Sequence, residues 1–273
     1  MAAVPEGSDA LSAFPLHLAF LGTFGDAFDF IFHQQVARTG QTMVGGPDQV
    51  LHLMGQHLKV TFLALGAAIA IALPTGVILG HLRRGEGFAI ALGNAGRAVP
   101  ELALIAFVAA FIGVGLLNVT FAFAVLGIPP ILTNAYVGIS QVDRTAVEAA
   151  RGMGMRGLQV ILRVELPLAV PTIMAGVRTA AVNIIATVAL ASLAGVSTLG
   201  DLILGRNVYG DQGVVAGAIL IALLTLTLEL GLAGLQWLLT PRGLKLARPV
   251  RRHRITQSIP GAREPREKRR VTW

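Results

Sequence analysis

Four charged residues, Arg97, Glu101, Arg178 and Glu229, sit in stretches otherwise too apolar for charge. Inside a bilayer an unpaired charge is costly, so such groups pair with one another or face a polar route. The spacing suggests Arg178–Glu229 and Arg97–Glu101 as partners in one layer, roughly 15 Å from one end of their helices at about 1.5 Å per residue. That layer either lines or gates a path for a solute, or it locks helices together. No catalytic constellation accompanies it. The chain has no GxxxxGK[ST] phosphate loop, so any ATP must be hydrolysed elsewhere, and it has no HExxH or GxSxG. The six histidines, at 17, 33, 52, 57, 81 and 253, form no metal-ligand pattern. His52 and His57 are five apart and poorly placed to share a helix face. The expected chemistry is binding and passage rather than bond-making, with no enzyme activity, cofactor or metal in this chain.

Composition says what kind of solvent surrounds these charges. The chain has 273 residues, 54% of them hydrophobic and only 14% charged. A soluble domain carries about 25% charged residues, so lipid must face much of this surface. Cysteine is absent, which excludes disulfides and thiolate metal sites. The 32 glycines suit helices that pack backbone to backbone in a membrane. The net charge of +7 is a property of the tail: from Arg242 onward there are eleven Lys or Arg against two Glu. A cytoplasmic tail obeying the positive-inside rule explains this better than nucleic-acid binding.

Five apolar segments are long enough to cross a bilayer, at about 58–80, 88–112, 118–139, 168–190 and 213–239. Arg97, Pro100 and Glu101 interrupt the second. Residues 1–15 lack the basic start of a signal peptide, and 16–32 carry His17, Asp26 and Asp29, which suggests an interfacial helix or a weak sixth span. Residues 191–212, punctuated by Gly195, Gly200, Gly205 and Gly210, suit a re-entrant or surface hairpin. Between spans three and four, residues 140–166 form a charged loop. There Ser140-x-x-Asp143 is a possible capping box, a short helix is expected over 141–152, and Pro167 is expected to end a second helical piece. Five spans place Arg83-Arg84, this loop and the tail on one side, with the chain's start outside. The fold class is an all-α polytopic membrane bundle. Its domains are an N-terminal extension (1–50), a transmembrane domain (51–240) and a basic, disordered cytoplasmic tail (241–273).

The loop holds the most specific pattern. Glu148-Ala149-Ala150-Arg151-Gly152-Met153-Gly154 is followed, after nine residues, by Val164-Glu165-Leu166-Pro167. Glu-Ala-Ala alone occurs in ordinary loops; the full pattern between two spans is far rarer. It resembles the cytoplasmic coupling loop of ABC-importer permeases, written EAA, three residues, Gly, nine residues, Ile-x-Leu-Pro. Only the Ile differs, being Val164 here. Over about 50–240, Leu73-Pro74-x-Gly76, Arg97-Ala98-Val99-Pro100 and Thr198-Leu199-Gly200-Asp201-Leu202-Ile203 resemble permease subunits of osmoprotectant importers. Those carry glycine betaine, choline, carnitine or proline betaine. Many relatives are richer in glycine where this chain has Val196-Ser197-Thr198.

The resemblance implies the bundle of a type I importer permease in the bacterial cytoplasmic membrane, with the C-terminus inside. Glu148, Ala149, Ala150, Gly154, Val164, Leu166 and Pro167 would couple it to a pair of ATPase subunits that hold the ATP and magnesium. Gly195, Leu199, Gly200 and Asp201 would form an external gate. A second permease subunit, identical or related, and an external binding protein complete the expected partners; no nucleic acid is expected. Trp237, Trp273, Tyr136 and Tyr209 are too scattered for an aromatic cage, so tight capture of a quaternary ammonium belongs to the binding protein. An importer of another small solute, such as an amino acid or alkylsulfonate, is the alternative within the class. A channel or scaffold without ATP coupling is the alternative outside it.

Overall fold

The computed structural model describes residues 22–40 and 42–241. A helix over residues 22–32 (α1) leads into a small hairpin, β1 (Gln34–Val36) antiparallel to β2 (Met43–Gly45). Helices follow in the order α2 (Gly46–Leu82), α3 (Glu86–Ala98), α4 (Glu101–Ile112), α5 (Leu116–Ser140), α6 (Arg144–Gly152) and α7 (Gly157–Val160). A π-helical turn (Ile161–Glu165) joins α7 to α8 (Leu166–Thr187), a 3-10 turn covers Val188–Ala194, and α9 (Gly200–Leu204) and α10 (Arg206–Leu239) complete the chain.

Among the described residues, α2, α5, α10 and the continuous stretch Gly157–Ala194 are each long and apolar enough to cross a membrane. The pair α3 and α4 makes a fifth crossing only as one span bent by 97°. The segment expected as a single span at 88–112 is therefore broken. Pro100 lacks an N–H, and its ring pushes Val99 out of the helical region to φ −78°, ψ 119°. The first span begins at Gly46 rather than near Leu58. His52, His57 and Lys59 mask it in an apolar count, yet His57 is buried and its ring Nε2 donates to Ile185 O of α8 at 2.8 Å. The segment expected as a weak span or interfacial helix, 16–32, is helical over 22–32; its earlier residues lie outside the described residues.

Helix α5 is central and touches α2, α3, α4 and α8. Its contact with α2 is a stripe of small residues one turn apart, Val60, Ala64, Ala68, Ala72, Gly76 and Gly80, all buried. A Cβ on Gly76 would lie 2.7 Å from Leu132 O, and one on Gly80 2.8 Å from Tyr136 O. The same close approach joins α8 to α5 at Gly176, where a Cβ would meet Pro130 O at 2.6 Å. Lipid gives helices no hydrophobic reason to associate, so close backbone packing is the main force that does. Gly80→Val is expected to force α2 from α5 at an overpacking cost of about 1–3 kcal/mol, seen as a lower melting temperature in detergent. Gly66→Val, where an added Cβ meets nothing within 4 Å, is the matched control and is expected to be tolerated.

Helix α2 spans from one end of the bundle to the other. Around its start, α1, the hairpin, α9 and the first turns of α10 share a core of Ala27, Phe30, Val44, Leu53, Leu199 and Leu202. Phe30 packs edge-on to Tyr209, with ring centroids 6.3 Å apart. Around the end of α2 lies the charged loop.

Candidate functional site

The loop is built as a platform. Helix α6 starts at Arg144 because Asp143 caps it, its Oδ1 accepting from Thr145 N at 2.9 Å. This corrects the expected capping box, since Ser140 is the last residue of α5 and its hydroxyl donates back to Val137 O. The Thr145 hydroxyl, and then its backbone N–H, hold the Asp143 carboxyl below its usual pKa. A depressed carboxylate stabilises the fold above its ordinary titration range and loses that contribution only as pH falls through the lowered value. The cap is therefore indifferent to pH near neutrality. Asp143→Ala is expected to speed amide exchange at Thr145 and Ala146 several-fold, leaving α8 unchanged; unaltered exchange at both would contradict the cap.

On α6, Val147 and Ala150 face inward against Ile139, Val142 and Val160, while Glu148, Ala149 and Arg151 are exposed. The chain then reverses at Gly154, whose φ of 85° suits glycine. Val164 and Leu166 pack on the same apolar cluster as Val147. Pro167 does not end a helical piece. It follows the π-helical turn Ile161–Glu165, which shifts the bonding pattern around the missing N–H, and the chain stays helical through it.

Two bonds fasten this platform to the end of α2. Glu165 is buried, and its Oε2 lies 2.6 Å from His81 Nδ1. Arg83 donates to Val142 O at 3.3 Å. Between α2 and α6 opens a cleft of about 460 Å³ lined by His81, Arg83, Arg144, Glu148, Arg151 and Glu165. Sequence reasoning missed the His81–Glu165 contact. The two residues are 84 apart, and the only hint was that Glu165 fills the free position of Val-x-Leu-Pro.

Residues 72–242 match the model of a protein family described as the inner membrane component of binding-protein-dependent transport systems. The chain belongs to that family. This permease is 39% identical over 194 residues to the carnitine transport permease protein OpuCB of Listeria monocytogenes, covering 71% of this chain and 89% of that one. It is 36% identical over 198 residues to the glycine betaine/carnitine/choline transport system permease protein OpuCB of Bacillus subtilis (strain 168), covering 72% and 91%. The fold is that of ABC-importer permeases: an inward-facing structure of the MetNI methionine ABC transporter superposes with a TM-score of 0.62 at 20% identity, covering 71% of this chain and 97% of that one. The permease is a multi-pass inner-membrane protein.

Within the membrane the permease brings Arg178 and Glu229 together. Arg178 Nε donates to Glu229 Oε1 at 3.0 Å, and Nη2 donates to the same oxygen. Nη1 donates to Gln236 Oε1 at 2.9 Å, a partner the sequence did not announce. Glu229 Oε2 is buried without a hydrogen-bond partner among the described residues. Such an atom costs roughly 1–3 kcal/mol, which the guanidinium pairing at Oε1 must offset. Glu101 is exposed in the first turn of α4, beyond the bend, and the Arg97 side chain lies outside the described residues. A cavity of about 410 Å³ is lined by Ala175, Arg178, Thr179, Val182, Asn183 and Glu229.

At the far end, Gly195 turns the chain at φ 75°, and Leu199 and Gly200 are buried while Asp201 is half-buried. A Cβ on Gly200 would overlap the Ala189 carbonyl, so the hairpin closes backbone on backbone. Thr198, which opens the Thr198–Ile203 stretch and is not among the expected gate residues, is buried and organises it. Its hydroxyl donates to Val188 O at 3.3 Å and accepts from Gly200 N at 3.1 Å.

Proposed function

We propose that this chain is the membrane-spanning subunit of an ATP-driven importer of small quaternary-ammonium osmoprotectants, of the glycine betaine, choline and carnitine kind. The observation that carries the coupling part is the platform, which presents Glu148 and Ala149 outward while Val147, Ala150 and the His81–Glu165 contact tie it to α2 and α8. The solute class is supported by the relatives at 39% and 36% identity, whose names specify carnitine, glycine betaine and choline.

In this reading a separate pair of ATPase subunits docks on the α6 platforms of two permease subunits, identical or related. An external binding protein delivers the solute to the face formed by the hairpin and α9. ATP-driven closure of the ATPases moves α6, and its rigid links pass the motion to α2 and α8. Alternate access follows as α8 carries Arg178 relative to α10. Glu148, Ala149, Ala150, Gly154, Val164, Leu166 and Pro167 then couple, and Gly195, Leu199, Gly200 and Asp201 close the outer end. The basic tail lies in the cytoplasm.

The test is uptake of labelled glycine betaine, choline and carnitine, with and without this gene, in cells lacking other betaine systems, at low and high osmolarity. Loss of uptake restored by the gene is expected. Unchanged uptake of all three removes the solute class.

A further inference from the structure

We propose that Thr179 and Asn183 on α8, with Asn94 on α3 and Asn134 on α5, form the strip along which this permease passes its solute. The strip is a neutral track of amides and hydroxyls running beside the Arg178–Glu229 pair, and its ligand class is a small zwitterion or quaternary ammonium cation. The proposal rests on the importer reading above and adds the residues that meet the solute.

Placement carries the argument. Thr179 and Asn183 are one turn apart and exposed, within a stretch long and apolar enough to span the membrane. Asn183 makes no side-chain hydrogen bond among the described residues. Thr179 and Asn134 use only their own helices, bonding Ala175 O at 3.0 Å and Pro130 O at 2.8 Å. Amides left toward lipid would be costly, so this side faces water, solute or protein. Large exposed side chains of α2 and α4 such as Phe62, Ile71, Phe107 and Phe111, by contrast, are apolar and suit lipid.

Continuity is the second point. A cavity of about 230 Å³ is lined by Asn94, Thr133, Asn134, Thr179 and Asn183 among others. The 410 Å³ cavity at Arg178 and Glu229 shares Thr179 and Asn183 with it. The two form one track across α3, α5, α8 and α10. The part at Arg178 and Glu229 is the more open of the two, as half of a path between two permease subunits would be.

Chemistry selects the ligand. The pair beside the track is neutral overall, and the Arg178 guanidinium is engaged by Glu229 and Gln236. The unpartnered Glu229 Oε2 is buried, so the solute meets the neutral amides and hydroxyls rather than a free carboxylate oxygen. Among the described residues, no aromatic ring lines either cavity. The hold on a trimethylammonium head is therefore weak, which suits transit, because a solute must leave as readily as it enters.

The absence of native cysteine makes the test clean. Thr179→Cys, Asn183→Cys and the lipid-facing control Phe62→Cys are each reconstituted with the ATPase subunits and binding protein. Each is treated with 2-(trimethylammonium)ethyl methanethiosulfonate, a reagent carrying the proposed head group. The thiolate attacks the reagent's sulfenyl sulfur, forming a mixed disulfide and releasing methanesulfinate. A thiol in hydrocarbon does not ionise, so positions 179 and 183 are expected to react at least about tenfold faster than position 62, and glycine betaine or choline is expected to slow them. Asn183→Leu is expected to cut uptake about tenfold with ATPase binding intact, and Asn183→Ser to retain most of it. Reaction at 179 and 183 no faster than at 62 overturns the strip. So does fast reaction that solute fails to slow in a transporter that takes up betaine. A wild-type transporter that takes up neither solute overturns the importer reading and its ligand class instead, while the contrast between positions still reports the strip.

Discussion

Glu148→Lys is expected to abolish ATP-driven uptake, by at least about a hundredfold, while leaving insertion and folding intact. Glu148 is exposed on α6, and the helix is held from its other face by Val147 and Ala150, so the fold has little stake in the side chain. A docked ATPase has a large one. The cleft beside Glu148 already holds Arg83, Arg144 and Arg151. Replacing the carboxylate with an ammonium makes the exposed part of this surface strongly positive, with only the buried Glu165 among the lining residues left to oppose it. Like charge across an interface costs several kcal/mol, and each 1.4 kcal/mol is about a factor of ten in binding. The readouts are solute uptake in proteoliposomes and recovery of the ATPase subunits with the tagged permease. Both are expected to fall together, with the melting temperature unchanged. Full uptake in the variant would remove Glu148 from the coupling surface.

Arg178→Ala and Glu229→Ala are expected each to destabilise the permease by about 2–4 kcal/mol, and the double variant by little more than either alone. Each single change leaves an opposite charge unpaired within the spanning segments, and Arg178→Ala also strands Gln236. The double change removes both charges, so most of the second cost disappears. Side chains only 32% and 29% exposed place this pair between a surface bridge and a buried one, which sets the magnitude below that of a fully buried pair. Thermal unfolding of the four proteins in detergent measures the coupling. Additive losses would mean that Arg178 and Glu229 do not act as a pair.

These two predictions come from different depths of the sequence. Arg178 and Glu229 stand out as lone charges in apolar runs, and the cost of leaving them unpaired pointed to each other. The loop pattern around Glu148 was equally visible, as were the crossings at α5, α8 and α10. What stayed hidden was long-range or masked by polar residues. His57 and Lys59 hid the first turns of α2, although His57 is buried and bonded to α8. The contact of His81 with Glu165 joins residues that no local pattern links. Pro100 was recognised as an interruption, but the 97° bend depends on how α3 and α4 pack on α5. Pro167 looked like a helix stop, whereas the π-helical turn before it lets the chain continue into α8. Phe30 and Val44 belong to a core completed by Leu199 and Leu202, which lie far along the chain from them.

The central claim is ATP-coupled import. Its most direct test is accumulation of labelled glycine betaine in proteoliposomes holding this permease, its ATPase subunits and the external binding protein. Accumulation above the external concentration, only with ATP on the ATPase side, is the predicted result. Equilibration that stops at the external concentration and ignores ATP would contradict the account, because it describes a channel, for which the α6 platform has no use.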